Sequence, residues 1–325
     1  MFTKALVPLD GTEVSEGIIP FVTQFARGLD IGVVLATAVE LDPLREGLLN
    51  RIAGGLTETP AADALRERIE RDVKNRLEDL ADRMALEGIA AETSVRFGPV
   101  SDSVIAMAQD AGCDLIAMST RGRGVVSSGL LGSVTYKIMH ESPIPVLAIT
   151  PERAGERWDT DYGVRQVIVP LDGSELAEAA LPYAAAIAGR MNMKMTLVRA
   201  LSIDNIAYSE GYNLGNMLNE AEAEIEADAR RYLISQARRL REEGLDVQTE
   251  ILRGSASSEI VAQSRQTDHN MIALATHGRS GVNRLLMGSV AEAVVRASGD
   301  PVLVVRPSTA VTPDPAPSNA PVVAT

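Results

Sequence analysis

The sequence predicts an α/β protein of two tandem doubly wound domains, each a five-stranded parallel sheet covered by helices on both faces. Three observations predict it: an internal repeat, an alternation of short apolar runs with helical patterns, and strand segments apolar on both faces. ALVPLDGTEVSE from Ala5 recurs as VIVPLDGSELAE from Val167, pairing Asp10 with Asp172 at an offset of 162 residues. RGRGVVSSGLLGSV from Arg121 recurs as HGRSGVNRLLMGSV from His277, pairing Gly122 with Gly278 at an offset of 156. Phe97-Gly98 against Arg253-Gly254, and Pro145-Val146 against Pro301-Val302, keep the second offset. The two copies therefore differ by a net insertion of six residues between Ala38 and Gly88. Duplication sets the domains at 1–150 and 164–307, joined by the charged, turn-rich linker from Thr150 to Arg165. Residues 308–325 are rich in Pro, Ala, Thr and Ser and are expected to be a disordered tail.

Each copy then reads element by element. KALVPL is a short apolar strand, followed by a helix from about Thr12 to Arg27 and the strand VVLATAV; the second copy repeats the pattern. A long charged helix follows, Ala64 to Leu86 or Ala221 to Arg241, and Gly88 or Gly244 suits the position just past its end. The third strand, AETSVRF or VQTEILR, leads to a helix over Val100 to Ala111 or Ser257 to Ser264, then to the fourth strand, DLIAMS or MIALAT. A last helix and the fifth strand, PVLAI or PVLVV, complete the unit. Strand order is not readable at this level.

Composition narrows the function. Of the 325 residues 46% are hydrophobic but only 3% aromatic, so the cores are aliphatic. A net charge of −13 without a Lys/Arg block opposes a phosphate backbone, so nucleic acid is not expected as a partner. No apolar run reaches the ~18 residues of a membrane span, and the opening MFTKALVPLD lacks a secretory pattern; a cytoplasmic location is expected. Three histidines cannot assemble a metal cluster, and the lone Cys113 reads as a small buried residue.

Ligands of open parallel sheets bind beyond the carboxyl ends of strands, where strand order reverses. Asp10 and Asp172 follow the first strands, and the glycine-rich segments follow the fourth. Gly132-Ser133 and Gly288-Ser289 open the last helices, whose free N–H groups and positive dipole ends suit phosphate. Simpler roles stand beside these: the serines as helix N-caps, and the aspartates as turn formers. The acidic run EAEAEIEADARR from Glu220 reads as a solvated helix face held by Glu-to-Arg pairs, and Met191, Met193 and Met195 as gap fillers.

ATHGRSGVNRLLMGSVAEAVV and STRGRGVVSSGLLGSVTYKIM, with the PLDGS and PLDGT openings, resemble the universal stress protein family, a Rossmann-like adenine-nucleotide-binding fold, over nearly the whole of both copies. Its nucleotide-binding members carry Gly-x-x-Gly-x9-Gly-Ser/Thr. The resemblance implies ATP or AMP as ligand, with Mg2+ able to accompany the phosphates. It implies that Asp10 and Asp172, with the backbone near Ala38 and Ala200, hold the adenosine. Gly122, Gly132 and Ser133, and Gly278, Gly288 and Ser289, would hold the phosphates. The nine-residue spacing survives as Arg123 to Leu131 and Arg279 to Met287, but Ser119 and Ala275 replace the pattern's first glycine. Both are small enough to leave room for a ribose.

The resemblance implies a nucleotide-binding stress regulator. Two alternatives stay open: a scaffold of the same fold that has lost its nucleotide, favoured by Ser119 and Ala275, and a slow ATP hydrolase. Efficient catalysis is not expected, since no Ser-Gly-Gly-x-Asp-Ser loop, Walker lysine or Ser-His-Asp order is present. Family members pair through their last strands. A tandem chain can meet that need internally, PVLAI against PVLVV, as a pseudo-dimer; further homodimerisation and the protein partner are left open.

Overall fold

The computed structural model describes residues 2–40, 60–121, 131–151, 163–202, 214–276 and 287–307. The strands of the first copy are β1 (Lys4–Pro8), β2 (Gly32–Val39), β3 (Ala91–Phe97), β4 (Leu115–Ser119) and β5 (Val146–Ile149). Those of the second are β6 (Gln166–Pro170), β7 (Lys194–Leu201), β8 (Val247–Arg253), β9 (Asn270–Ala275) and β10 (Val302–Val305). All pair in parallel within each copy, and their order is β3-β2-β1-β4-β5-β10-β9-β6-β7-β8. Order reverses between β1 and β4 and again between β6 and β9. The expected edge pairing is present: β5 and β10 join antiparallel, with Leu147 opposite Leu303, so the two five-stranded units form one ten-stranded sheet.

The helices are α1 (Glu13–Glu16), α2 (Ile19–Leu29), α3 (Pro60–Leu86), α4 (Val100–Asp110) and α5 (Ser133–Glu141), then α6 (Glu175–Glu178), α7 (Leu181–Met191), α8 (Leu214–Glu242), α9 (Ala256–Ser264) and α10 (Ser289–Ala297). Here the structure corrects the sequence reading. The single helix expected over Thr12 to Arg27 is two, because Pro20 at the start of α2 lacks an N–H to continue a helix; Pro182 does the same in the second copy. The long helices begin earlier than expected, at Pro60 and Leu214, and end as expected at glycines with positive φ, Gly88 (84°) and Gly244 (89°).

Two aliphatic layers flank the sheet. One contains Leu35, Leu77, Leu147, Leu197, Leu233 and Leu303; the other contains Ile116, Ile138, Val198, Ile272, Val294 and Val304. Both layers draw on both copies, so the core runs unbroken across the β5–β10 join. Burial of each such side chain contributes about 1.5–3 kcal/mol. Met193 and Met195 are buried fillers as expected, and Met191 lies against Gly28 of the first copy. On α8 the acidic run is tied by Glu226 to Arg230, four residues on, and by Asp228 to Arg231. The tail at 308–325 and most of the linker lie outside the described residues.

Candidate functional site

The turn after β1 is built by its own side chains. Leu9 N–H donates to the Ala36 carbonyl at 2.8 Å, extending the pairing with β2 by one residue before Asp10 leaves the sheet. Thr12 donates from its N–H (3.0 Å) and Oγ1 (2.6 Å) to Asp10 Oδ1, and Thr12 Oγ1 in turn caps α1 by accepting from Ser15 N–H. Gly11, at φ 77°, permits this turn, where a side chain would add about 1 kcal/mol of strain. The second copy repeats it: Ser174 donates to Asp172 Oδ1 at 2.9 and 2.6 Å, and Gly173 has φ 86°. The aspartates are turn formers in both copies, and the turn fixes where each carboxylate points.

The end of β4 is the second wall. Ser119 is buried; its Oγ accepts from Arg121 N–H at 3.1 Å, and its carbonyl accepts from Thr135 Oγ1 at 3.0 Å. Gly132 N–H donates to the Thr120 carbonyl at 3.0 Å, which places the start of α5 directly against the strand end. Gly288 N–H and the Thr276 carbonyl repeat the contact beside Ala275 at the end of β9. Gly122, Gly278, Arg123, Arg279 and His277 lie outside the described residues.

One expectation is corrected at the helix starts. Ser133 and Ser289 are not N-caps; each is an exposed first residue of its helix, and the caps are Gly132 and Gly288 in extended backbone, with no side-chain hydrogen bond to the first turn. The strand-end contact of each glycine N–H draws the cap one residue back. Among the described residues no side chain at the helix start caps the first-turn N–H groups of α5. Among the described residues a Cβ on Gly132 would meet only the Thr120 carbonyl at 3.5 Å and Thr135 Oγ1 at 3.6 Å, at an ordinary φ of −64°. Among the described residues nothing imposes a glycine there.

These pieces meet around a cavity of about 650 Å³ at the carboxyl ends of β1, β2 and β4. Asp10, Ala38, Ser119, Gly132 and Ser133 all line it. Val39, Val104 and Met118 give it an apolar side, and α3 closes it with Val73 and Arg76. In the second copy Asp172, Ala200, Ala275, Gly288 and Ser289 stand at the matching ends of β6, β7 and β9 and at the start of α10. Arg76 is a lining residue that sequence reasoning passed over. Its Nε donates to Glu16 Oε1 at 2.7 Å, a bond that holds the guanidinium above its ordinary pKa, against partial burial and with help from the charges of Glu16, Asp10 and Glu13.

A model of the universal stress protein family matches residues 1–150 and again 163–306. The chain belongs to the universal stress protein family. A universal stress protein of Mycobacterium tuberculosis is 28% identical over 200 residues, covering 60% of this chain and 62% of the relative. The match thus spans less than two thirds of that relative's length. A Bacillus subtilis universal stress protein is 29% identical over 157 residues, covering 46% of this chain and 99% of its own. In fold, the chain is similar to the crystal structure of a universal stress protein from Archaeoglobus fulgidus, at a TM-score of 0.66 and 20% identity, covering 93% of this chain and 98% of that one. The doubly wound, mostly parallel sheet is the fold of this universal stress protein relative. Among the described residues no helix is long and apolar enough to cross a membrane.

Proposed function

We propose that the cleft of the first copy binds an adenine nucleotide, ATP or AMP, and that occupancy biases the conformation or partner binding of a cytoplasmic stress-response regulator. One observation carries the reading: the start of α5, which has a glycine at its cap, and the fixed carboxylate of Asp10 line the same cavity. A carboxylate suits a ribose hydroxyl, and a helix N-terminus suits phosphate. The cavity volume lies within the ~300–1,000 Å³ of small-molecule sites. Gly132, which the packing of the described residues does not require, leaves room at the helix start for a phosphate oxygen. Arg76 and Arg121 also line the cavity and offset the acidity of Asp10 and Glu16. When bound, the nucleotide supplies a phosphate chain that can carry Mg2+.

Binding without efficient turnover is the role proposed. Asp10 Oδ1 already accepts two hydrogen bonds from Thr12, which makes it a fixed acceptor better than a general base. The scaffold reading draws on the same bonds, because the turn accounts for Asp10 with no ligand, and on Ser119 at the pattern's first glycine. Mass spectrometry of small molecules released from gently purified, then denatured, protein separates the two. ATP, ADP or AMP at one equivalent or more supports the nucleotide switch. Empty protein whose melting temperature ignores added ATP supports the scaffold.

A further inference from the structure

The two copies share a register but not a cleft wall. Thr37 on β2 is opposite Val95, and its counterpart Arg199 on β7 is opposite Ile251. Arg76 on α3 has Tyr232 on α8 as its counterpart. In the first copy Thr37 lines the cavity with a short side chain that donates to the Leu9 carbonyl at 2.9 Å, while Arg76 lies half exposed along the cavity edge. In the second copy the Arg199 guanidinium stacks over the Tyr232 ring, 5.4 Å from its centroid. The ring is pinned: its hydroxyl donates to Glu178 Oε1 at 2.9 Å, and Gln236 Nε2 donates to the same oxygen at 3.0 Å. Val73, which lines the open cavity of the first copy, has as its counterpart Ala229, which is 0% exposed.

We infer that the chain takes one nucleotide, in the first copy, and that Arg199 stacked on Tyr232 fills the second cleft where a purine and ribose would enter. The inference rests on the nucleotide reading of the first cleft. A planar cation lying on an aromatic ring reproduces the stacking and polar edge that a base would offer, so the second copy carries an internal substitute for ligand. Glu178 strengthens the arrangement by fixing the ring from its far end. Duplication has thus yielded one binding half and one sealed half.

The test is equilibrium dialysis of labelled ATP against the full chain and three variants. The expected results are one equivalent for the parent protein, binding at least tenfold weaker for Gly132→Val, and unchanged binding for Gly288→Val. Arg199→Thr with Tyr232→Ala is expected to bring a second equivalent. Two equivalents in the parent, or binding lost in Gly288→Val and kept in Gly132→Val, would overturn the inference and leave the nucleotide reading standing. A parent protein that binds no ATP overturns both. A folded double variant still at one equivalent overturns the assignment of the closure to Arg199 and Tyr232.

Discussion

Arg190 of the second copy donates to the carbonyl oxygen of Leu29, the last residue of α2 in the first copy, at 2.8 Å. The same nitrogen donates to the Phe2 carbonyl at 2.7 Å. A cation on the C-terminal end of a helix satisfies orphan carbonyls and complements the dipole, so each half is tied to the other by a helix cap as well as by β5 and β10. Arg190→Ala is expected to lower stability by about 1–2 kcal/mol, read from urea midpoints. A variant with the parent's midpoint would show that the cap is ornamental.

The join itself should be stronger. Leu147 and Leu303 face each other across β5 and β10, and neither is exposed. Leu303→Ala is expected to cost about 2–5 kcal/mol. Because the core is continuous through this point, unfolding should stay a single transition by both circular dichroism and fluorescence. Two separated transitions in the parent protein would contradict the unbroken core.

Gly132→Val should act on ligand without acting much on the fold. Its φ of −64° suits any residue, and a first side-chain carbon finds ordinary contacts. Nucleotide affinity is expected to fall at least tenfold, while the melting temperature of the ligand-free protein moves by only a few degrees. Equal affinity in variant and parent would remove α5 from the phosphate site.

Cys113 should be a poor nucleophile. Burial pushes its thiol up to about 11, with Lys4 opposing and Asp114 and Glu92 adding to the rise. At neutral pH this leaves about a hundredfold less thiolate than an ordinary thiol, so iodoacetamide should label the native chain far more slowly than the unfolded one. The folded value lies above the usual 9.0. The thiol's contribution to stability is therefore complete below about pH 9 and is lost as pH rises toward 11. Over that window the stability difference between the parent and Cys113→Val should shift in favour of the variant. A pH-independent difference refutes the assignment.

Much of this was legible because the repeat marks strand ends. Asp10 and Gly132 are 122 residues apart in the chain, yet each could be set at a carboxyl end of a strand by the apolar run before it or the helix after it. Pro20 and Pro182 carried the break in the first helices, and reading the whole run as one helix overlooked what proline does to the turn before it. Strand order was hidden, since β4 lies beside β1 only through crossovers that leave no local trace. Arg76 was hidden for a related reason. On a long helix crowded with solvated charges, nothing local separates an arginine that reaches Glu16, 60 residues back, from one that points into water. The cap at Gly132 depended on the Thr120 contact across the glycine-rich segment, a tertiary effect that overrode the serine's own preference.

The antiparallel seam between β5 and β10 has a bearing on dilution. A lone copy would have to meet a second by diffusion, and its pairing would weaken as concentration fell. Held on one chain, the halves see each other at an effective concentration on the order of millimolar, whatever the amount of protein present. Pairing in this molecule is thereby independent of expression level, and among the described residues the edges of the sheet are β3 and β8, the third strands of each copy.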